Sequence, residues 1–224
     1  GLSCAYFLAV QGYKPTVFEK NERPGGMLRY GIPSFKLEKN VIDAEIDILR
    51  ELGVDIRCGV EVGKDVTLAE LRRQGYRAFY IAIGCQGGRR AGVPGEDAAG
   101  IETAVHLLRA VGGDESRKMT GKTVVIGGGN VAMDVARSSV RLGADKVAVA
   151  YRRRKADMTA LPEEVESAMA EGVEIMELYA PERIEADEDG QVKALWVSQQ
   201  MPGEIRGGRP SPKAIGTDSI PVSY

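Results

Sequence analysis

Apolar runs of strand length alternate with amphipathic stretches along the chain, most clearly in its second half. Residues 122–126 form an apolar run, residues 130–142 repeat apolar positions with helical spacing, and residues 147–151 form the next apolar run. This order predicts two parallel strands joined by a crossover helix, which is the repeating unit of a doubly wound α/β fold.

The rest of the second half predicts further elements of both kinds. Asp189-Gly190 lies between two strand-like runs and indicates a β-hairpin. The predicted elements are a helix at 162–170, strands at 173–179, 182–186 and 192–198, a loop at 201–217 and a strand around 220–222.

The first half shows the same alternation. Apolar positions between Val41 and Leu52 cover one broad face of a helix, and Thr67-Leu68-Ala69-Glu70 has the form of a capping box. The predicted helices span 3–11, 41–52, 68–74 and 101–111, and the predicted strands span 16–19, 54–57 and 78–83.

An internal repeat relates the two halves. The spacing from Ala132 to the strand end at Ala150 equals the spacing from Gly1 to Glu19. We therefore expect two Rossmann-like units, with the first strand and first two glycines of the first unit lying ahead of Gly1 in a longer protein. The predicted domains are a partial nucleotide-binding domain at 1–111, a linker at 112–120 and a second nucleotide-binding domain with an added β-hairpin at 121–224.

Composition narrows the possible functions. A net charge of −2 over 224 residues argues against a nucleic-acid partner, and no apolar run approaches the roughly 20 residues of a membrane helix. No signal peptide is visible. Cys4, Cys58 and Cys85 form no disulfide framework, no CxxC pair and no metal-ligand spacing. We therefore expect a cytoplasmic protein without a membrane partner or a metal site.

A glycine loop follows the strand at 122–126. Gly127, Gly129 and Ala132 fit the G-x-G-x-x-A fingerprint, in which the backbone approaches a pyrophosphate and the first N–H groups of the helix face it. The predicted pyrophosphate-binding residues are Gly127, Gly128, Gly129, Asn130, Val131 and Ala132. The alternative is a glycine turn with only a packing role.

The residues after the next strand indicate which nucleotide binds. Arg152, Arg153 and Arg154 stand where an NAD-binding unit has an acid, and they would bind a 2′-phosphate, which favours NADPH. The alternative is a solvated basic run. In the first half the strand-end residue is Glu19, which suits an unphosphorylated ribose such as that of FAD, or is simply a surface residue. Gly25-Gly26-Met27 supplies a second close-approach loop.

These motifs, taken in order, resemble one family. They are Glu19-Lys20, Pro24-Gly25-Gly26-Met27-Leu28, Tyr30-Gly31-Ile32-Pro33, Gly127 to Asp134 and Tyr151-Arg152-Arg153. The chain resembles the glutamate synthase small (beta) subunit over nearly its whole length. Relatives of that subunit include the NADPH/FAD segment of dihydropyrimidine dehydrogenase and other flavoproteins that feed iron–sulfur clusters.

The resemblance implies an FAD domain interrupted by an NADPH domain, with hydride passing from the nicotinamide to the flavin. The family's first glycine loop would precede Gly1 and its closing flavin-binding strand would follow Tyr224, so the FAD unit is expected to be incomplete at both ends. Iron–sulfur clusters are expected on missing segments or on a partner, such as a larger catalytic subunit. The implied FAD contacts are Glu19, Lys20, Gly25, Gly26, Met27, Lys36 and Val62.

Two other functions stay open besides an NADPH-dependent flavin oxidoreductase. One is a fragment that binds NADPH without catalysis, and the other is a thioredoxin-reductase-like enzyme, which needs a CxxC that the chain lacks. No catalytic acid or base is predicted, because the cofactors carry out hydride transfer. We expect His106 to be partly buried and structural, Asp134 to favour the first turn of its helix, and Glu163-Glu164 to solvate theirs.

Overall fold

The computed structural model describes residues 1–113 and 116–223. Its contacts divide the chain into two compact units, Gly1–Gln86 and Gly87–Tyr224. The helices are α1 (Leu2–Val10), α2 (Gly26–Tyr30), α3 (Lys39–Glu51), α4 (Leu68–Arg73), α5 (Ala104–Gly113), α6 (Asn130–Arg141) and α7 (Pro162–Ala170). The strands are β1 (Thr16–Glu19), β2 (Asp55–Cys58), β3 (Lys122–Ile126), β4 (Lys146–Tyr151), β5 (Glu174–Glu177), β6 (Tyr179–Ala186), β7 (Val192–Arg206) and β8 (Arg209–Ser223). Among the described residues, no helix combines the length and hydropathy needed to cross a bilayer.

The first unit is built on a parallel pair of strands. β1 and β2 pair from Thr16 opposite Asp55 to Glu19 opposite Cys58. The buried cluster of Ala5, Leu49 and Val54 packs α1 and α3 with the sheet. The capping box at α4 is confirmed: the Glu70 N–H donates to Thr67 Oγ1 and the Thr67 N–H donates to Glu70 Oε2.

The prediction of a buried strand at 78–83 is wrong. These residues form no helix or strand, and the side chains of Ile81 and Ile83 are 72% and 81% exposed. A buried strand needs a neighbour that pairs with its backbone groups, and among the described residues the sheet of this unit consists of β1 and β2. The apolar run therefore has no sheet to join. The helix predicted at 101–111 begins later, at Ala104.

The second unit contains the Rossmann-like sheet, in the order β3-β4-β5 with parallel pairing. Residues 147–151 of β4 are all buried, because β4 has a strand on either side and helices pack on the sheet. Met133 and Ala136 of α6 are fully buried in the same core. The predicted β-α-β order at 122–151 is confirmed, as is the helix at 162–170.

An antiparallel sheet, β6-β7-β8, follows the parallel one. The predicted Asp189-Gly190 hairpin is confirmed: Asp187 Oδ1 accepts from the N–H groups of Asp189 and Gln191. The predicted loop at 201–217 is wrong, because β7 continues to Arg206 and pairs with β8 through a turn at Gly207-Gly208, where φ is 57° and 79°. The ribbon from 201 to 208 is exposed along its whole length, so it lacks the apolar alternation that marks a half-buried strand.

The contact boundary between the units lies earlier in the chain than the predicted linker at 112–120. Leu107 and Leu108 of α5 belong to the core cluster of the second unit. The crossover from residue 87 to α5 is therefore part of the second compact unit. The division into folding domains at 1–111 and 121–224 stays a prediction.

Candidate functional site: a glycine loop beside a cationic strand end

The glycine loop joins the carboxyl end of β3 to the N-terminus of α6, as the fingerprint predicts. The Gly127 N–H donates to Ala150 O at 3.2 Å, and Gly129 is the N-cap of α6. A Cβ added to Gly128 would lie 2.5 Å from Cε2 of Tyr151. The ring of the last β4 residue therefore leaves no space for a side chain at position 128, and Gly128 itself is buried.

The first turn of α6 presents its N–H groups beside this loop. Asn130 and Val131 occupy the first helical positions, whose N–H groups have no partner inside the helix and favour anions. Ala132 is buried, with its Cβ 3.5 Å from where a Cβ of Gly127 would be. A small residue at the third fingerprint position therefore allows the close packing of helix and loop.

The segment that precedes α7 is hydrogen-bonded to the glycine loop, which the sequence analysis did not predict. Residues 155–161 are the part of the connection between β4 and α7 that follows the three arginines, and we call them the β4–α7 segment. The N–H groups of Thr159 and Ala160 donate to Gly128 O at 2.9 and 3.1 Å, and the Leu161 N–H donates to Asn130 Oδ1 at 2.8 Å. No pattern in the sequence signals these bonds, because they join residues about 31 positions apart along the chain.

The three arginines have different surroundings. Arg152 is exposed, and in the described part of the chain its guanidinium shows neither a hydrogen bond nor an ion pair. Arg153 Nε donates to Pro210 O of β8 at 2.8 Å. Arg154 is paired with Asp157, with Nε 2.8 Å from Oδ2 and Nη2 3.1 Å from Oδ1.

The strand end is therefore less cationic than the run of three arginines suggests. Arg152, Arg153 and Asp157 border one narrow recess, with no room for a water molecule, together with Leu178 and four residues of β7 and β8, namely Met201, Pro202, Pro210 and Pro212. The hydrogen bond from Arg154 holds the pKa of the Asp157 carboxyl below its ordinary value. Asp157 is consequently an anion at neutral pH, and it offsets one of the three positive charges.

Leu178 anchors this recess to both sheets. Its N–H donates to Arg153 O at 3.1 Å, and its carbonyl accepts from the Gln200 N–H at 2.7 Å. Its φ of 63° is the only positive value at a non-glycine residue in the described part of the chain. The backbone is thus held in an uncommon conformation where β5 passes into β6, beside Arg153.

In the first unit, Glu19 lies at the end of β1 as predicted. Its Oε1 accepts from the backbone N–H of Asn21 at 2.9 Å and from Nδ2 of Asn21 at 2.7 Å. Both bonds use Oε1, and together they orient the carboxylate. Lys20, the next residue, is exposed.

The Gly25-Gly26-Met27 loop is braced by a buried arginine that the sequence analysis did not single out. Arg29 is 5% exposed; its Nε donates to Pro24 O at 2.8 Å and its Nη2 pairs with Asp43. Gly25 has φ 126°, a conformation that strongly favours glycine. Met27 is exposed, and Gly26 begins α2.

Two further residues implied as FAD contacts lie on exposed parts of the first unit. The Lys36 N–H donates to Pro33 O in a turn after α2, and its side chain is exposed. Val62 is 40% exposed and forms an isolated β-bridge with Val66. Their roles toward FAD stay predictions.

Two of the residues set aside as structural differ from expectation. His106 was expected to be partly buried, but its side chain is 71% exposed and its Nδ1 lies 3.5 Å from Glu102 Oε2, because Leu107 and Leu108 form the buried face of α5. Asp134 is buried in the first turns of α6. Glu164 does more than solvate α7, since it pairs with Arg137 of α6 at 3.0 Å.

Comparison with known proteins agrees with this geometry. Residues 1–207 match the family model described as pyridine nucleotide-disulphide oxidoreductase. The chain is 44% identical over 207 residues to the NADP(+)-dependent formate dehydrogenase subunit beta of Moorella thermoacetica, covering 91% of this chain and 29% of that protein. It is 37% identical over 233 residues to the glutamate synthase [NADPH] small chain of Escherichia coli, covering 98% of this chain and 49% of that protein.

Among solved structures, FprA from Mycobacterium tuberculosis in complex with NADPH superimposes with a TM-score of 0.77 at 20% identity, covering 99% of this chain and 66% of that one. The predicted α/β fold with Rossmann-like units is thereby confirmed. The predicted resemblance to the glutamate synthase small subunit is confirmed by the sequence match. The chain spans less than half the length of the two relatives compared.

Proposed function

Because the chain belongs to the pyridine nucleotide-disulphide oxidoreductase family, we propose that it is a module of an NADPH-dependent flavin oxidoreductase. The observation that carries this proposal is the strand end of β4, where Arg152 and Arg153 stand in place of the acid that an NAD-specific unit has. NADPH and FAD, when bound, supply the hydride chemistry, and the residues of this chain bind and orient them.

The second unit has the features that a dinucleotide with a 2′-phosphate needs. The glycine loop and the first turn of α6 would bind the pyrophosphate, because Gly128 carries no side chain there and the helix N-terminus favours an anion. Asn130 Oδ1 is used by Leu161, which leaves its Nδ2 group to donate to a phosphate. Arg152 and Arg153 would bind the 2′-phosphate by charge-assisted hydrogen bonds.

The first unit would hold part of the FAD. Glu19, oriented by Asn21, would accept from the adenosine ribose, and the braced Gly25-Gly26-Met27 loop would allow close approach of the dinucleotide. Lys20, Lys36 and Val62 complete the proposed contacts. All three residues are exposed, so a ligand can reach them.

The electrons would leave the flavin for an iron–sulfur domain or a larger catalytic subunit. The relatives named above are described as a subunit and a small chain, which supports a partner in general. A cytoplasmic location is proposed with it, from the separated cysteines. A thioredoxin-reductase-like activity is disfavoured because it requires a CxxC pair.

The coenzyme preference can be measured on this chain by calorimetry. We expect NADPH to bind more than about tenfold more tightly than NADH, because charge-assisted contacts to the 2′-phosphate contribute roughly 1.4 kcal/mol or more. Arg152→Met should remove most of this preference. Arg73→Met on α4, an exposed arginine of the other unit, is the matched control and should leave the preference intact.

Equal affinities for NADPH and NADH in the unaltered chain would refute the 2′-phosphate assignment. The redox step is tested on the intact protein that carries this chain: anaerobic addition of NADPH should bleach the absorbance of bound FAD. A chain that binds NADPH while the intact protein shows no bleaching would support the alternative of a binding module without catalysis.

A further inference from the structure

Two polar side chains are buried in the first unit, and each holds a segment that is proposed to contact FAD. Among the described residues of this unit, the buried polar ones are Asn21 and Arg29, and each is 5% exposed. Arg29 donates to a backbone carbonyl, Pro24 O, just ahead of the Gly25-Gly26-Met27 loop. Asn21 instead donates to the carboxylate of Glu19, so it acts on a side chain that would itself contact the cofactor.

Asn21 presents two donors to one oxygen of Glu19. The backbone nitrogen of Asn21 lies 2.9 Å from Glu19 Oε1, and its side-chain Nδ2 lies 2.7 Å from the same oxygen. A glutamate side chain in water samples several rotamers, and restricting them costs conformational free energy. The two bonds restrict the Glu19 side chain before any ligand arrives, and Glu19 stays partly exposed, so a ligand can reach it.

Burial and the neighbouring strand hold Asn21 in place. Its carbonyl accepts from the Gly59 N–H at 3.0 Å, and the carbonyl of Glu19 accepts from the Val60 N–H at 3.0 Å, which ties this turn to the end of β2. A buried amide group that loses its acceptor costs free energy, because no water replaces the lost bond. The Asn21 side chain therefore stays bonded to Glu19 and does not turn into solvent.

The two donors of Asn21 are neutral groups, so they orient the Glu19 carboxylate without pairing its charge. An acid at this strand end of a dinucleotide-binding unit accepts from the ribose 2′-hydroxyl. A carboxylate that is already oriented loses less side-chain entropy when it accepts this bond, and the bond then contributes more to affinity. Asn21 thereby influences binding without touching the cofactor.

We propose that Asn21 is a positioning residue for the flavin, which holds the Glu19 carboxylate in the orientation that accepts from the adenosine 2′-hydroxyl of FAD. The proposal rests on the proposed function, since it assumes that Glu19 contacts this ribose. The motifs in the sequence do not include Asn21 among the FAD contacts, because Glu19 makes the contact and Asn21 acts through it.

Binding to the flavin-free form of the intact protein that carries this chain tests the role of Asn21. The probes are FAD and an FAD analogue that lacks the adenosine 2′-hydroxyl, and the quantity measured is the ratio of their dissociation constants. The unaltered protein should bind FAD about tenfold more tightly than the analogue, because a charge-assisted hydrogen bond goes to that hydroxyl. Asn21→Ala should reduce this ratio about threefold or more, while the affinity for the analogue changes less than about twofold.

A merely structural role of Asn21 would weaken both ligands equally, so an unchanged ratio in Asn21→Ala would overturn the proposal. If that variant retains neither flavin, Asn21→Asp decides by the same ratio, because aspartate has the same size and replaces the Nδ2 donor with an oxygen. Its ratio should be reduced as well. Asn40→Ala, at the exposed start of α3, is the matched control and should leave the ratio intact.

Glu19→Gln separates this proposal from the proposed function. When it is combined with Asn21→Ala, the ratio should fall no further than in Glu19→Gln alone, because Asn21 acts through the Glu19 carboxylate. A further reduction in the double variant would identify Asn21 as a direct ligand and overturn this proposal, while the proposed function stands. Equal affinities for FAD and the analogue in the unaltered protein would instead overturn the proposed contact of Glu19, and this proposal with it.

Discussion

Packing constrains single residues of the glycine loop as strongly as the proposed ligand does. The sequence motif predicts that Gly128 lets a pyrophosphate approach. In the structure, however, a Cβ at this position would overlap the ring of Tyr151. Tyr151 is buried and its hydroxyl is bonded to Asp157 O, so the ring cannot move aside. Packing against Tyr151 therefore requires a glycine at position 128, independently of any ligand.

This dual role predicts a clear effect of Gly128→Ala. The added methyl group would overlap the Tyr151 ring, and we expect the free energy of unfolding to fall by about 1–3 kcal/mol, as for other overpacked sites. NADPH binding should weaken together with it. Gly87→Ala is the control, because a Cβ there meets nothing within 4 Å, and it should leave both quantities unchanged.

Chemical denaturation and calorimetry measure both effects. In the double variant, Gly128→Ala with Tyr151→Leu, the loss of unfolding free energy should be smaller than the sum of the losses in the two single variants. The reason is that the smaller leucine side chain removes the overlap with the added methyl group. Additive losses would show that the ring does not limit position 128.

The helices α6 and α7 are joined by a partly buried charge cluster. Arg137 of α6 lies between Glu164 at the start of α7 and Glu171 just after its end, at 3.0 and 2.9 Å. Burial disfavours the guanidinium cation, but the hydrogen bonds that Arg137 donates to these carboxylates outweigh this effect and raise the pKa of Arg137. Since α6 carries the glycine loop and α7 follows the β4–α7 segment, the cluster fixes both sides of the candidate site.

Arg137→Met should therefore lower the free energy of unfolding by about 2–4 kcal/mol, because Glu164 and Glu171 would both lose the largely buried cation between them, and Glu171 would keep only the more exposed Arg141. Arg141→Met is the matched control. Arg141 also reaches Glu171, at 2.8 Å, but its side chain is 46% exposed against 14% for Arg137, so its loss should cost less than about 1 kcal/mol. Urea unfolding of both variants decides the comparison, and equal losses would contradict the role assigned to burial.

The two compact units of the chain differ in the size of their buried core clusters. The core cluster of the second unit joins α5, α6 and α7 to the parallel sheet, whereas the corresponding cluster of the first unit contains Ala5, Leu49 and Val54. The stretch from 77 to 93 has no helix or strand, and most of its side chains are exposed. Proteases attack exposed segments without regular structure first.

Limited trypsin digestion should accordingly begin in this stretch, at Arg77, Arg89 or Arg90. Mass spectrometry should find a second-unit fragment that begins at 78, 90 or 91 and resists further cleavage, because its parallel sheet is enclosed by helices. Replacing these three arginines with glutamine is the control and should slow the first cut. First cleavage inside 122–177 would contradict the difference in stability.

Much of the second unit was predictable from local sequence. The apolar runs at 122–126 and 147–151, the helical spacing between them and the Asp189-Gly190 turn each depend on residues close together in the chain, and all correspond to observed elements. The same holds for the glycine loop and for Glu19 at a strand end. Periodicity, caps and turns are local properties, so the linear order of residues is enough to specify them.

Tertiary structure alone decided how these parts are used. The run at 78–83 is as apolar as a strand but has no pairing neighbour among the described residues, and the ribbon after residue 201 forms strands without an apolar face because β7 and β8 pair with each other. The three arginines look equivalent in the sequence, yet one is exposed, one is bonded to Pro210 and one is paired with Asp157. Hydrogen-bond partners and charge neutralisation depend on distances across the fold, which no local pattern encodes.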